Sequence, residues 1–192
     1  ELRAAIDGQP MEGTLGVGHT RWATHGAPTE ENAHPHQDMS GSVWVVHNGI
    51  IENHQQLRDE LQQQGIVFTS ATDTEVIVHL IDRALTPGTP LIDTVRQVLP
   101  LLEGAYALAV IHKDHPNELV FARKGSPLVI GVGIGETFVG SDTLALRSVT
   151  DTFVYLEDGD VGFASAGQYI LFDAAGNTVD RLQARLEAHE DA

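Results

Sequence analysis

The second half of the chain alternates short apolar segments with turn residues, and this pattern limits the possible folds most strongly. Beyond Gly104, Gly, Asp, Pro and Asn separate segments that are typical of β-strands. Most of the connections are too short for a helical crossover, so the strands are expected to pair mainly antiparallel. The predicted strands cover residues 105–112, 118–123, 128–132, 137–140, 153–156 and 167–172, and a short helix is predicted near 144–148.

The first half of the chain adds helices. One is expected to follow Asn53 as its N-cap, and a second is expected to begin at Thr72 or Asp73 and to be largely buried. A third helix is predicted over residues 91–102, strands over 14–24, 43–51 and 66–68, and a helical tail after residue 182. Three helices with eight or nine strands favour an α+β fold in which helices cover packed, mainly antiparallel sheets.

Length, charge and cysteine content exclude several classes of protein. The chain has 192 residues, which favours one domain, and its net charge of −16 argues against binding nucleic acid or an anionic membrane surface. It contains no cysteine, so this sequence holds no disulfide, no thiolate zinc site and no cysteine nucleophile. The chain begins with Glu rather than Met and shows no secretory signal, so we expect a lost upstream segment and a cytoplasmic location.

Polar residues follow the first predicted strand. Arg21 offers a fork of donors that suits a carboxylate or phosphate, and Thr24 and His25 lie at the strand end, where side chains can face a cleft. A surface ion pair for Arg21 and a core position for Trp22 explain this cluster equally well.

The dipeptide Asn48-Gly49 lies within the apolar run 43–51. Asn-Gly is a strong hairpin signal, which is the simpler interpretation. The flanking residues are continuously apolar, however, as in a buried strand. An Asn amide beside a Gly N–H then supplies two donors directed at one point, which is the composition of an oxyanion hole.

Asp73 is most simply a helix N-cap. A carboxylate at the start of a helix that faces a cavity could also bind an ammonium group. Arg21 and Asp73 together would match the two charged ends of an α-amino acid, but the sequence alone does not bring them into one pocket.

The ten histidines raise the possibility of a metal-dependent hydrolase. The chain has no His-Glu-x-x-His pattern and no thiolate ligands, and residues 131–135 lack the spacing of a dinucleotide fingerprint. No metal and no cofactor are therefore predicted.

Six motifs occur in an order that resembles a known family. The chain resembles the glutaminase domain of the glucosamine-6-phosphate synthase family, which are class II glutamine amidotransferases, and the resemblance covers nearly the whole chain. The motifs are His-Thr-Arg-Trp-Ala-Thr-His-Gly (19–26), Asn-Ala-His-Pro-His (32–36), Val-Val-His-Asn-Gly-Ile-Ile-Glu-Asn (45–53), Thr-Asp-Thr-Glu-Val-Ile (72–77), Gly-Ala-Tyr-Ala (104–107) and Gly-Ser-Pro-Leu-Val-Ile-Gly (125–131).

The resemblance implies a four-layer αββα N-terminal-nucleophile hydrolase fold with two antiparallel sheets. It implies that an N-terminal Cys attacks the side-chain amide of L-glutamine, that ammonia leaves, and that the glutamyl thioester is hydrolysed to L-glutamate. Ammonia then passes to a sugar isomerase domain, which aminates fructose 6-phosphate. The full-length protein is expected to be a homodimer.

The resemblance also implies roles for individual residues. Arg21 would bind the α-carboxylate of glutamine and Asp73 its α-ammonium, while Asn48 and Gly49 would form the oxyanion hole. The resemblance further makes Thr24 and His25 pocket contacts and places Trp22 in a loop that closes over the site; His34 would lie near the site without an assigned role.

The chain departs from the family at its nucleophile, because residue 1 is Glu and no Cys is present. We expect residues 1–192 to be a partial domain that lacks the N-terminal nucleophile segment and the sugar isomerase domains. Such a chain is expected to be inactive, to be less stable than an intact domain, and to have an open sheet edge or groove.

Two other functions agree with the same residues. One is the glutaminase domain of another class II amidotransferase, such as the phosphoribosylpyrophosphate enzyme. The other is a non-catalytic module that binds glutamine or a sugar phosphate.

Overall fold

Two antiparallel sheets and three helices form the described part of the chain. The computed structural model describes residues 8, 13–20 and 25–186; Arg21, Trp22 and Thr24 lie outside these ranges. The helices are α1 (His54–Gln63), α2 (Glu75–Ala84) and α3 (Leu91–Val98). The strands are β1 (His36–Gln37), β2 (Val43–Ile51), β3 (Gly104–His112), β4 (Leu119–Lys124), β5 (Val129–Val132), β6 (Thr137–Gly140), β7 (Thr152–Tyr155), β8 (Val161–Ser165), β9 (Gln168–Phe172) and β10 (Gln183–Arg185).

The sheets have six and four strands. The order in the first is β1-β2-β3-β4-β8-β9, and the order in the second is β10-β7-β5-β6. Every pair of neighbouring strands is antiparallel, which confirms the prediction made from the short connections. The longest ladder joins β2 to β3, from Val43 opposite His112 to Ile51 opposite Gly104.

Two apolar cores hold the layers together. The first lies between the helices and the six-stranded sheet, and the second lies between the two sheets. In α2, Val76, Ile77 and Ile81 are fully buried, and each contributes about 2 kcal/mol of hydrophobic stabilisation. Within the described ranges, the helical element near the four-stranded sheet is the 3₁₀ turn Thr143–Ala145. None of the described helices is long and apolar enough to cross a bilayer.

Several predicted elements differ from the structure. Residues 66–68 and 14–20 form no strand, and the segment after residue 182 forms β10 rather than a helix because it pairs with the open edge of β7. The third helix ends at Val98 and continues as the 3₁₀ turn Leu99–Leu101, since Pro100 has no N–H to donate. The helix predicted near 144–148 is only that 3₁₀ turn at Thr143–Ala145.

A groove of about 600 Å³ lies beside β6, the end strand of the four-stranded sheet. Residues 14–18 line one side of it, and Phe138, Val139 and Ala164 line the others. Of the predicted site residues that the structure describes, none lines this groove. It is therefore separate from the residues considered below.

Gly49 is a point of close approach between β2 and β3. Its φ is +131°, and a Cβ added there would lie 2.0 Å from the backbone oxygen of Ala105. Asn48 and Gly49 are opposite Ala107 and Tyr106 within the ladder, so the hairpin-turn interpretation is wrong. A side chain at position 49 would require both a strained backbone and separation of the two strands.

We expect Gly49→Ala to destabilise the protein by about 3 kcal/mol or more, because the clash is with backbone that cannot move alone. Chemical denaturation measures the change in the free energy of unfolding. Gly16→Ala is the matched control, since a Cβ at Gly16 meets nothing within 4 Å. Equal stability of the two variants would contradict this account of Gly49.

Glu75 begins α2 and is almost completely buried, with 1% of its surface exposed. Its carboxylate accepts hydrogen bonds from the N–H and hydroxyl groups of Thr69 and Ser70, at 2.6–3.0 Å. Burial alone would raise the pKa of Glu75, but contact with the His79 ring and these hydrogen bonds hold it at about 2. The ionised form is therefore favoured by folding.

The shift from the ordinary pKa of 4.5 to about 2 makes a stabilising contribution of about 3 kcal/mol that is complete above pH 4.5 and is lost as the pH falls towards 2. Glu75→Gln is expected to lower the free energy of unfolding at pH 7 and to flatten its dependence on pH between 4.5 and 2. Denaturation at a series of pH values measures this. An unchanged slope would contradict the prediction.

Candidate functional site

Polar residues from four of the sequence motifs meet around the C-terminal half of β2. Asn48 and Gly49 belong to this strand, and Asp73 precedes α2. His19 and His34 come from the segment before β1 and reach the same region. The strand therefore provides the backbone on which the candidate site is built.

The side chain of Asn48 is exposed, and its orientation is fixed by a histidine. His19 Nε2 lies 2.7 Å from Asn48 Oδ1. Because a carbonyl oxygen accepts, the ring donates through Nε2, and the amide oxygen of Asn48 faces His19. The NH₂ group of Asn48 is consequently directed away from His19. With the backbone N–H of the adjacent Gly49, it can supply the two donors that an oxyanion requires.

Asp73 is buried and is bound to β2. Its Oδ2 accepts a hydrogen bond from the N–H of Ile51 at 2.8 Å, and 4% of the residue is exposed. The other carboxylate oxygen, Oδ1, has no hydrogen-bond partner among the described residues. Thr74 is the N-cap of α2 and makes no side-chain cap bond, so the N-cap interpretation of Thr72 or Asp73 is wrong. The bond holds the carboxylate at Ile51, which follows Gly49 by two residues on β2. A ligand ammonium could bind the carboxylate there.

Two charged side chains hold the loop that carries Asp73, and neither role was predicted from the sequence. Arg58 donates to the backbone oxygens of Ser70 and Thr72 at 3.0 and 2.9 Å, and its guanidinium lies over the ring of Phe68 at 4.1 Å. Glu75 binds the start of the same loop, as described above. These residues fix the backbone of the loop that precedes Asp73.

His47 is a buried residue of β2, and burial favours the neutral form of its ring. Burial lowers the pKa of its ring below the ordinary value of 6.5, and the nearby Asp73 carboxylate only partly opposes this effect. Its Nδ1 lies 2.9 Å from Thr74 Oγ1, while its Nε2 is buried without a hydrogen-bond partner among the described residues. His47 thus connects β2 to the start of α2.

His34, for which the resemblance implied no role, contacts both β2 and the start of α2. Its Nε2 is 3.2 Å from Thr74 Oγ1, and its Nδ1 accepts a long hydrogen bond of 3.4 Å from the N–H of His47. The ring centroid of His34 is 4.3 Å from that of His19. It therefore contacts both the group that orients Asn48 and the residue that follows Asp73.

His25 also lies at this end of the molecule. Its ring centroid is 4.8 Å from that of His54, whose Nδ1 is 2.8 Å from the backbone oxygen of Ile51. The structure thus brings Asn48, Gly49, Asp73 and His25 into one region. The predicted contacts of Arg21, Trp22 and Thr24 lie outside the described residues.

Several histidines lie around this site. Within residues 8, 13–20 and 25–186, no group of three or more His, Cys, Asp or Glu side chains is arranged to hold an ion. Their contacts described above are with threonine hydroxyls, the Asn48 amide, backbone N–H and C=O groups and other histidine rings. They therefore act through hydrogen bonds and ring contacts.

Known proteins are similar to this chain in sequence. The isomerising glutamine–fructose-6-phosphate aminotransferase of Acinetobacter baylyi is 56% identical over 187 residues, which are 97% of this chain and 30% of that protein. The enzyme of the same name from Pseudomonas putida is 55% identical over 193 residues, which cover 100% of this chain and 31% of that protein. The chain thus spans about 30% of the length of these curated relatives.

A solved structure shares the fold. The glutamine phosphoribosylpyrophosphate amidotransferase from B. subtilis, complexed with ADP and GMP, matches with a TM-score of 0.66 and 28% identity over 83% of this chain and 35% of that chain. This similarity confirms the predicted N-terminal-nucleophile hydrolase fold. A family profile described as "Glutamine amidotransferase domain" matches residues 19–148. Because that match covers most of the chain, the chain belongs to the glutamine amidotransferase domain family.

Proposed function

We propose that this chain is the glutamine-binding part of an enzyme that transfers ammonia from L-glutamine to fructose 6-phosphate, forming glucosamine 6-phosphate. The observation that carries the proposal is the bond between Asp73 Oδ2 and the N–H of Ile51. It fixes an anionic group beside the strand that presents Asn48 and Gly49. A ligand with an ammonium at one end and a carboxamide at the other matches this arrangement.

In the proposed complex, Asp73 binds the α-ammonium of glutamine and Arg21 its α-carboxylate, with Trp22, Thr24 and His25 as further contacts. The carboxamide oxygen faces the Asn48 NH₂ group and the Gly49 N–H. These donors stabilise the negative charge that develops on that oxygen when a nucleophile adds to the carbonyl carbon. One such donor typically changes the rate by about 10²–10³-fold.

The covalent step requires a thiol that this sequence does not contain. In the proposed reaction, a cysteine thiolate adds to the carbonyl carbon, and the C–N bond breaks as the nitrogen takes up a proton and leaves as ammonia. Water then hydrolyses the thioester to L-glutamate and regenerates the thiol. Residues 1–192 would be a partial domain of the longer enzyme, which would also carry the sugar isomerase domain.

The choice of ammonia acceptor in this proposal is based on the similarity to known enzymes. Fructose 6-phosphate is favoured because the two aminotransferases described above share more than half of their aligned residues with this chain. The phosphoribosylpyrophosphate enzyme shares 28%. An acceptor assay on the longer enzyme distinguishes the two sugar phosphates. A homodimer and a cytoplasmic location stay predictions.

The pocket can be tested by ligand binding. We expect Asp73→Asn to weaken L-glutamate binding by about tenfold or more, because a charge-assisted hydrogen bond to the ammonium is lost. The Asn oxygen can still accept from Ile51, so the fold is expected to remain. Isothermal titration calorimetry measures the Kd, and Asp93→Asn on α3 is the control, since Asp93 is half exposed. Unchanged affinity in Asp73→Asn would refute the assignment of the ammonium site.

A polypeptide of these 192 residues is expected to release no ammonia from glutamine, because it supplies the binding groups and the oxyanion donors without a thiol. A coupled assay for ammonia or glutamate measures the rate. Turnover that disappears in Arg21→Ala would contradict this prediction. It would assign the nucleophile to another residue of the chain.

A further inference from the structure

Two histidines bind the residues on either side of Asp73. His36 Nε2 lies 2.9 Å from Thr72 Oγ1, and His34 Nε2 lies 3.2 Å from Thr74 Oγ1. Both threonines are buried, with 2% and 0% of their surfaces exposed. The tripeptide Thr72–Asp73–Thr74 is therefore held at both ends by the motif His34-Pro35-His36.

Each threonine hydroxyl has a second partner, which fixes its rotation. Thr72 Oγ1 is 3.0 Å from Ser70 Oγ, and Thr74 Oγ1 is 2.9 Å from His47 Nδ1. A hydroxyl with one donor and one acceptor partner has no freedom to turn. The side chains next to Asp73 are thus locked through hydrogen bonds rather than through apolar packing.

A third contact joins the same two segments. Asn32 Oδ1 accepts a hydrogen bond from the N–H of Ala71 at 2.8 Å, while its Nδ2 donates to the oxygen of Ala27 at 3.0 Å. Asn32, His34 and His36 together bind residues 71, 72 and 74. Only Asp73 is omitted, and its Oδ2 is bound by Ile51 instead.

We propose that Asn32, His34 and His36 form a clamp that positions the Asp73 carboxylate for a ligand ammonium group. These are positioning residues: they bind the backbone and hydroxyl groups around Asp73 and do not touch the ligand. The inference rests on the proposed function, because the ammonium is that of glutamine or glutamate. It assigns a role to the motif at 32–36 and to His34, which the resemblance left without one.

The clamp and simple core packing predict different effects. If His36 contributes only by packing, Phe should substitute for it because the two side chains have similar shapes. Any loss of binding affinity in His36→Phe would then be equal for all ligands. If His36 positions Asp73, removing its hydrogen bond harms only ligands that carry an ammonium group. Glutarate has the same carbon chain and both carboxylates of L-glutamate but lacks the ammonium, so it serves as the comparison ligand.

The test measures the Kd of L-glutamate and of glutarate by calorimetry for the wild type, His36→Phe and Thr72→Val. Each variant is expected to weaken L-glutamate by about tenfold and to leave glutarate unchanged, since each loses the same hydrogen bond. The double variant is expected to lose no more than either single one. His36→Gln keeps a donor at the end of the side chain and is expected to recover most of the affinity.

His115→Phe is the matched control, because His115 lies on the partly exposed turn after β3 and is expected to change neither Kd. If His36→Phe does not fold, Thr72→Val carries the test, since it preserves side-chain volume. Equal losses for both ligands, or no loss for L-glutamate, would overturn the clamp. A wild type that binds no L-glutamate would instead overturn the proposed function, and with it this inference.

Discussion

The hydrogen bond from the Ile51 N–H to Asp73 Oδ2 is the interaction on which the site depends. It joins the last residue of β2 to the residue before Thr74, the N-cap of α2, and so fixes a helix start against a strand end. A buried carboxylate needs such a partner, because an ionised group without one is costly to remove from water. The same bond places the carboxylate beside the Asn48–Gly49 segment of β2, so one contact joins the strand to the start of the helix and sets the geometry of the proposed site.

The groups around this bond form a continuous network of hydrogen bonds. Arg58 and Glu75 hold the loop before Asp73, and the histidines at 34 and 36 hold its two neighbours. Glu75 and His36 are buried and Arg58 and His34 are partly buried, so breaking these bonds would leave polar groups without solvent to replace them. The network explains why a segment without regular secondary structure can hold a carboxylate in one position.

Much of the fold could be predicted from the sequence, because periodicity and short connections are local signals. The strands β3 to β7 and β9, their antiparallel pairing and the helices α1 and α2 follow from such signals, whereas β8 was not predicted. The segment at 183–185 was wrongly predicted as a helix, since its conformation depends on the free edge of β7.

The candidate site was predictable only in part. The motifs identified Asn48, Gly49 and Asp73, but not the partners that orient them. Arg58 has the appearance of an ordinary helix surface residue, and the partner of His34 is Thr74, far along the chain. Pairings of this kind leave no local pattern in one sequence.

The ladder between β2 and β3 has a consequence for how the protein reaches its native state. Ile51 and Gly104 are the paired residues closest in sequence, and all three described helices lie between them. The chain must therefore close a long loop before the two strands can pair. Loop closure of this kind slows folding, because its entropic cost comes before the contacts that compensate for it. Asn48 and Gly49 acquire their geometry only when this ladder forms. Any ligand that binds at this part of β2 would therefore slow unfolding of the finished domain, but it would have no assembled site through which to accelerate folding.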